Sequence, residues 1–237
     1  MRHSGKTAIV TGGTGALGRV CVGRLFDIGL NIGIPHTSEK SLDRIPDRVS
    51  KNTSRLLTAV ANLTLEDQVG SFVDQVVQKF GSVEYLVNTA GGYLGGHTID
   101  EVSGGDWEGI MALNMKTTFL MSRSVLKIMK RRSFGRIVNM AAMAALSSGA
   151  KKGAYAISKR GVITLTETIA DETKGTGITA NAIAPSIILT EANRQSMPSA
   201  NYSSWVTPEE IADLVIYLCS DEAKSISGNT IKIYGGV

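Results

Sequence analysis

Residues 11–18 read Thr11-Gly12-Gly13-Thr14-Gly15-Ala16-Leu17-Gly18, and they join a short apolar run, residues 6–11, to a stretch with helical spacing, residues 16–28. Glycines at a strand–turn–helix junction let the chain turn sharply and bring its backbone close to a pyrophosphate. The phosphates then meet the unpaired N–H groups at the start of the helix. Gly13, Gly15 and Gly18 also satisfy the G-x-G-x-x-G spacing. The stretch therefore predicts a dinucleotide-binding turn, and the lack of Gly-Lys-Ser/Thr argues against a P-loop.

Short apolar runs alternate with helical patterns along the rest of the chain. The runs cover residues 6–11, 30–34, 56–61, 85–88, 136–140, 179–184 and 231–233, and the main helical patterns cover residues 16–28, 106–130 and 154–174. Thr64 and Thr207 are the expected caps of two further helices. Continuously apolar strands between helices are typical of a parallel sheet covered on both faces. The sequence therefore predicts one doubly wound (Rossmann-type) α/β domain over residues 1–237, with about seven strands.

Composition and charge limit the classes of molecule that the protein is expected to bind. The chain has 43% hydrophobic and 19% charged residues and a net charge of +4. Its densest basic stretch, residues 127–136, ends a helical pattern, where cations suit the helix dipole. We therefore expect anionic small molecules, and neither nucleic acid nor membrane, as partners. Cys21 and Cys219 match no metal-ligand spacing and are expected to be small core residues, so we predict no metal and a reducing, cytoplasmic location. The N-terminal residues show no signal-peptide pattern.

Four further segments give the chain a family resemblance. They are Asn88-Thr89-Ala90-Gly91, Leu113-Asn114, Tyr155-Ala156-Ile157-Ser158-Lys159 and Pro185-Ser186-Ile187-Ile188-Leu189-Thr190. Together with residues 11–18 they resemble the short-chain dehydrogenase/reductase family from Lys6 to the end of the chain. Ala16 and Ser186 each replace a glycine that the family usually has. The resemblance implies hydride transfer between a nicotinamide dinucleotide and a small substrate.

Tyr155, Lys159 and Asn114 are the implied catalytic residues. Residues four apart on a helix lie on one face, so Tyr155 and Lys159 can reach the same pocket. A nearby ammonium and a cationic nicotinamide both favour the phenolate of a tyrosine. The resemblance implies that Lys159 also holds the nicotinamide ribose and that Asn114 supports a proton relay through water.

The residues after the second strand bear on the choice of dinucleotide. Relatives that prefer NAD usually have a carboxylate there, but residues 34–38 contain none. His36, Ser38, Lys40 and Arg44 could instead surround a 2′-phosphate, so we expect NADP, with NAD as the alternative. The full set of expected cofactor contacts is Gly12, Thr14, Gly15, Ala16, Leu17, Gly18, His36, Ser38, Asn62, Leu63, Asn88, Ala90, Gly91, Tyr155, Lys159, Pro185, Ile188 and Thr190.

One residue of the family pattern is missing. The family usually has a serine thirteen residues before the tyrosine, where this chain has Ala142. Three explanations compete: Ser147 replaces its hydroxyl, the protein is inactive, or the substrate does not need that donor. The third explanation has support from residues 12–18, 90–96, 196–198 and 203–205, which are similar to the dihydropteridine reductase branch of the family, where alanine also occurs at this place. A quinonoid pterin accepts hydride readily, so it needs less polarisation.

Three functions remain open from the sequence. The first is reduction of a small conjugated imine or carbonyl, with a quinonoid dihydropterin as the named candidate, and the second is reduction of a 3-oxoacyl or other carbonyl compound. The third is dinucleotide binding without catalysis. Trp205 or Tyr202 could stack on a flat substrate, or Trp205 could pack on the last helix. Helices at residues 106–130 and 154–174 are expected to form a homodimer or homotetramer.

Overall fold

The computed structural model describes residues 4–237, and its centre is a seven-stranded sheet. The first three positions of the expected domain, 1–237, lie outside the described residues. The strands run in the order β3-β2-β1-β4-β5-β6-β7, and every neighbouring pair is parallel. Their bounds are β1 Thr7–Thr11, β2 Asn31–His36, β3 Leu56–Val60, β4 Tyr85–Asn88, β5 Gly135–Met140, β6 Ile178–Pro185 and β7 Thr230–Ile233. The predicted doubly wound single domain is confirmed.

Helices cover both faces of the sheet. They are α1 Ala16–Asp27, α2 Asp47–Ser50, α3 Glu66–Phe80, α4 Gly104–Met111, α5 Thr117–Arg132, α6 Gly153–Glu172, α7 Glu191–Ser196 and α8 Pro208–Cys219. One core packs α1 and α8 on the sheet, and the other packs α3, α5 and α6 on the opposite face. Cys21 and Cys219 are buried in the first core as expected, and burial raises the pKa of each thiol to about 12. Among residues 4–237, no helix is long and apolar enough to cross a membrane.

Two predicted element boundaries are wrong. The second strand continues past residue 34, because Pro35 and His36 pair with β3. Thr64 does not cap α3: its hydroxyl donates to Asn62 Oδ1 over 2.8 Å, and α3 begins at Glu66 without a side-chain cap. The capping box that opens α8 is present as predicted, with Thr207 and Glu210 as its two members.

The helix predicted over residues 106–130 is divided in two. A π-helical turn, Ala112–Lys116, separates α4 from α5 and contains Asn114. Thr118 Oγ1 donates to the Asn114 carbonyl oxygen over 2.8 Å, so side chains satisfy backbone groups that the wider turn frees. Single π-helical turns inside α-helices are frequent at functional sites. Here the turn moves Asn114 to a position where its side chain meets the loop after β4.

Candidate active site

The glycine-rich turn between β1 and α1 is shaped by contacts that no side chain would allow. Gly12 has φ 64°, and a Cβ there would lie 2.8 Å from the Ala90 nitrogen. A Cβ on Gly18 would overlap the Gly12 carbonyl oxygen. Helix α1 begins at Ala16 without a side-chain cap, and the first turn of the helix contains no acidic residue. The free N–H groups at this helix start are therefore a cradle that fits the pyrophosphate of a dinucleotide.

The expected cofactor residues lie along one edge of the sheet. Each of these segments lies at the carboxyl end of a strand. The glycine-rich turn follows β1, and the other segments follow β2, β3, β4 and β6, in the order 36–38, 62–63, 88–91 and 185–190. A cavity of about 510 Å³ joins the turn to the segment before α7, and its lining includes Thr14, Ala16, Arg19, Arg44, Leu189 and Thr190. In open parallel sheets this edge, beside the point where the strand order reverses, is where ligands bind.

His36 does not lie where a ligand could reach it. Its side chain is 1% exposed, and Nε2 lies 3.9 Å from the Glu39 carboxylate. Neither ring nitrogen has a hydrogen-bond partner within residues 4–237. The expectation that His36 surrounds a 2′-phosphate is therefore wrong, because β2 continues through residue 36 and the side chain is buried. Ser38 is exposed at the start of a 3₁₀ helix, Glu39–Arg44.

Arg19 is a cavity residue that the sequence reasoning missed. It lines the same cavity as Arg44, and neither guanidinium forms an ion pair with another described residue. Arg19 directly follows Gly18, the last glycine of the turn, and this position in the sequence could have predicted that it lies near the phosphate-binding turn. Two unpaired guanidiniums beside an uncapped helix start give the cavity the charge of an anion site.

Asn88 supports the sheet but does not offer its side chain to a cofactor. Its Nδ2 donates to Asn139 Oδ1 over 2.9 Å, and its Oδ1 accepts from Thr11 Oγ1 over 3.3 Å. Asn139 Nδ2 in turn donates to Thr166 Oγ1 over 2.9 Å. All of these groups are buried. The expected cofactor contact of the Asn88 side chain is therefore corrected to a polar link between β1, β4, β5 and α6.

Asn114 and Lys159 come together beneath Gly91, as expected. A Cβ on Gly91 would lie 2.8 Å from Asn114 Oδ1 and 3.1 Å from Lys159 Nζ. Asn114 Oδ1 accepts from Gly92 N over 2.8 Å, while its Nδ2 donates to Gly92 O and Ser158 Oγ. Lys159 Nζ donates to the Met140 carbonyl oxygen over 2.8 Å. The absence of a side chain at Gly91 thus leaves room for Lys159 Nζ, while the fully buried Asn114 fixes the loop that follows Gly91.

The pKa of the Tyr155 phenol is higher than the sequence predicted. Burial and, to a smaller extent, the neighbouring Tyr93 together raise the pKa of Tyr155 to about 12. Burial also lowers the pKa of Lys159 to about 8. The expected lowering of the Tyr155 pKa by the Lys159 ammonium is therefore not found, because desolvation dominates at both groups. At neutral pH the phenol is protonated, which suits a proton donor in a reduction.

Ala142 and Ser147, the candidate replacement for the missing hydroxyl, lie in different surroundings. Ala142 is buried just after β5, and Ser147 is exposed beyond a 3₁₀ turn, Met143–Ala145. Within residues 4–237, no hydrogen bond joins Ser147 to Tyr155. Position 142 therefore carries a methyl group where the family usually has a hydroxyl.

The aromatic residues of the site differ from those expected. Trp205 is 6% exposed, and its ring packs on Tyr202 at 4.8 Å between centroids. The Tyr202 hydroxyl donates to backbone carbonyls just after α7, and the Arg194 guanidinium lies 5.4 Å from the centroid of the Tyr202 ring, so contacts within the chain engage both aromatic residues. Packing was the correct reading of Trp205. The exposed aromatic residue beside Tyr155 is Tyr93, which the sequence reasoning missed because an aromatic in a glycine-rich loop has no periodic pattern.

The segment before α7 is held by its own polar groups. Thr190 caps α7 by accepting from Asn193 N, and Asn193 Nδ2 donates to the Ile188 carbonyl oxygen over 2.8 Å. Ile188 also pairs with Val206 in an isolated parallel bridge. Pro185 ends β6 and is buried. Leu189 and Thr190 of this segment line the cavity together with the glycine-rich turn, whereas Ile188 does not.

Known proteins share both this sequence and this geometry. A family model described as short chain dehydrogenase matches residues 6–201. The 3-oxoacyl-(acyl-carrier-protein) reductase FabG of Thermotoga maritima is 29% identical and aligns over 100% of this chain and 99% of its own length. The structure of NAD+-bound xylitol dehydrogenase superposes with a TM-score of 0.91 at 25% identity, covering 100% of both chains. ElxO with NADP bound gives a TM-score of 0.90 at 27% identity, covering 98% of each chain.

Sequence, fold and site geometry agree on one family. The match covers the glycine-rich turn, Asn114 and the pair Tyr155 and Lys159, and the solved relatives hold nicotinamide dinucleotides in the same fold. The protein therefore belongs to the short-chain dehydrogenase/reductase family and is an NAD(P)-dependent oxidoreductase.

Proposed function

We propose that this protein uses NADPH to reduce a small conjugated carbonyl or imine. The observation that carries the proposal is the pairing of a protonated phenol, Tyr155, with a methyl group at Ala142 where a polarising hydroxyl would stand. Loss of such a donor commonly costs about 3 kcal/mol of transition-state stabilisation. A conjugated acceptor is intrinsically more electrophilic than an isolated ketone and needs that donor less.

The roles of the chain follow from the geometry. When bound, the reduced dinucleotide supplies hydride. The Tyr155 hydroxyl donates a proton to the oxygen or nitrogen of the substrate, and the Lys159 ammonium stabilises the phenolate that remains. Gly91 leaves Lys159 accessible to a cofactor ribose, while Asn114 holds the Gly92 backbone in place. The buried Lys159 keeps its ammonium oriented by donating to the Met140 carbonyl.

The preference for NADPH rests on the end of β2. Residues 31–38 contain no carboxylate, and Arg19 and Arg44 line the cavity at the glycine-rich turn. A guanidinium fork matches a phosphate in geometry and charge. NAD remains the alternative, since the related xylitol dehydrogenase was solved with NAD+ and ElxO with NADP.

Two substrate classes compete within this proposal. A quinonoid dihydropterin is our first candidate, because it is flat, conjugated and electron-poor. A 3-oxoacyl thioester is the second, favoured by the relatives named as 3-oxoacyl-(acyl-carrier-protein) reductases. We also propose that the molecule acts as a homodimer or homotetramer on a small substrate.

A turnover screen tests the function directly. Oxidation of NADPH would be followed with a quinonoid dihydropterin, an acetoacetyl thioester and an unconjugated ketone, using wild type and Tyr155→Phe. We expect turnover that depends on Tyr155, with the conjugated substrate reduced faster than the unconjugated ketone. Consumption of the thioester alone would favour the second candidate. Dinucleotide binding without turnover of any substrate would leave a non-catalytic binding protein.

A further inference from the structure

Tyr93 is an exposed aromatic side chain that contacts the proton donor. It is 68% exposed, while its ring meets the Tyr155 ring at 4.9 Å between centroids and an interplanar angle of 69°. An edge-to-face contact of this kind leaves the rest of the ring open to the solvent-filled site. The ring is therefore available to a ligand at the place where the proton is delivered.

The loop that carries Tyr93 is fixed at both ends. On one side, the backbone of Gly92 forms two hydrogen bonds with the Asn114 side chain, 2.8 Å from its nitrogen and 3.1 Å from its oxygen. On the other side, Gly96 N donates to the Lys151 carbonyl oxygen over 2.8 Å, just before α6. These contacts hold the loop against the same helix that carries Tyr155. The orientation of Tyr93 is thus set by the catalytic framework.

Gly95 makes room for the folded-back position of Tyr93. A Cβ at this position would overlap the Tyr93 hydroxyl. Gly95 does not have positive φ, so backbone conformation does not require glycine here. The space is needed by the tyrosine side chain. A substitution at 95 would therefore move the ring and leave the fold intact, because the colliding atom is the end of a flexible side chain.

We propose that Tyr93 is a specificity-determining residue, whose ring stacks on a flat conjugated substrate and holds it beside the Tyr155 hydroxyl. This inference rests on the proposed function and names the feature of the site that selects its substrate. Ala142 stands where the family usually has a hydroxyl, so contact with a π-face is the attraction that Tyr93 can supply to a substrate beside Tyr155. Aliphatic ketones have no such face.

Kinetics and binding with two probes test the role of Tyr93. Menadione serves as the flat conjugated carbonyl and ethyl acetoacetate as the aliphatic one. We expect Tyr93→Leu to raise the KM for menadione by about tenfold, the usual scale of a lost aromatic contact, while the KM for ethyl acetoacetate stays within about twofold. Tyr93→Phe keeps the ring and should behave as wild type. Gly95→Ala should reproduce the effect of Tyr93→Leu, and Tyr217→Leu, an exposed tyrosine on α8, is the matched control.

A second measurement separates this inference from the proposed function. Calorimetric titration of menadione into the NADP+ complex reports binding without turnover, and Tyr93→Leu should weaken it by about tenfold. If wild type reduces neither probe but binds menadione through Tyr93, the proposed function fails and the inference stands. If Tyr93→Leu changes both probes equally or neither, the inference is overturned. An equal loss in Tyr93→Phe would also overturn it, because the hydroxyl and not the ring would then be responsible.

Discussion

At the scale of single residues, Tyr155 and Lys159 show that burial outweighs proximity in the resting protein. Burial raises the pKa of the phenol and lowers the pKa of the ammonium, so each group moves towards its neutral form. A buried phenol that keeps its proton is prepared to donate it. The same burial makes Lys159 lose its positive charge at moderately alkaline pH.

Replacement of the phenol separates chemistry from binding. Tyr155→Phe removes the proton donor and should lower kcat by about a hundredfold to ten-thousandfold, while dinucleotide binding is nearly unchanged. Lys159→Ala should lower kcat and also weaken dinucleotide binding, because the ammonium stabilises the phenolate and holds the ribose. Steady-state kinetics and calorimetric titration of NADPH measure the two effects. A Tyr155→Phe protein as active as wild type would remove the mechanism and leave only the cofactor site.

The pH dependence of reduction should follow Lys159. Burial disfavours the charged amine and lowers its pKa to about 8, so the proton leaves as the pH rises through that value. Tyr155 stays protonated until about pH 12 and does not limit the reaction in this range. We expect kcat/KM to be level below pH 7 and to fall above about pH 8. A profile that stays level to pH 10 would contradict this assignment.

Restoring the missing hydroxyl distinguishes a specialised site from a decayed one. Ala142→Ser returns a donor beside Tyr155 and should raise kcat/KM for unconjugated ketones by up to about a hundredfold. Reduction of the conjugated substrate should change little. A similar gain on every substrate tested would show that the wild-type protein has lost catalytic power.

The individual residues also show which features of the site can be predicted from the sequence. The family resemblance identifies Tyr155, Lys159 and Asn114 as the candidate catalytic residues, and the structure places Asn114 and Lys159 together. The burial of His36 and the exposure of Tyr93 could not be predicted, since each depends on where a strand ends or a loop folds back. A glycine-rich loop leaves no periodic pattern from which side-chain direction can be deduced.

At the scale of elements, the strands were predictable and the helix interruptions were not. Buried parallel strands form continuous apolar runs, so the sequence marks them clearly. The π-helical turn at Ala112–Lys116 has no such mark, because it depends on the contacts of Asn114 with Gly92 and Ser158. Those partners come from elsewhere in the chain. Tertiary contacts therefore decide the local structure exactly where the site is built.

The junction between β2 and α2 should set cofactor preference. We expect NADPH to bind more tightly than NADH, and Arg44→Ala to reduce that difference by about tenfold or more by removing a charged phosphate contact. Calorimetric titration of 2′,5′-ADP and 5′-ADP measures the phosphate contribution alone. Arg131→Ala is the matched control, since Arg131 lies in the last turn of α5, at the opposite edge of the sheet. Tighter binding of NADH to wild type would show the reading of this junction to be wrong.

At the scale of the whole molecule, the surface of α4 to α6 points to self-association. Phe119 on α5 is 40% exposed, Ile157 on α6 is 46% exposed, and Leu113 in the π-helical turn is 41% exposed. We expect sedimentation at micromolar concentration to show a dimer or tetramer, and Phe119→Glu to shift it towards the monomer by placing charges in an apolar contact. A wild-type monomer at that concentration would reject the proposed assembly.

The position of the ligand edge has a consequence for thermal denaturation. The proposed dinucleotide contacts follow β1, β4 and β6, so a single bound molecule would connect segments that are distant along the chain. Unfolding any one of them releases the ligand, and the stabilisation is therefore shared by the entire sheet. At a hundred times its Kd, a dinucleotide adds about 2.7 kcal/mol to the free energy of unfolding. For a domain of this size that raises Tm by roughly 5–10 °C while the melting curve keeps one transition.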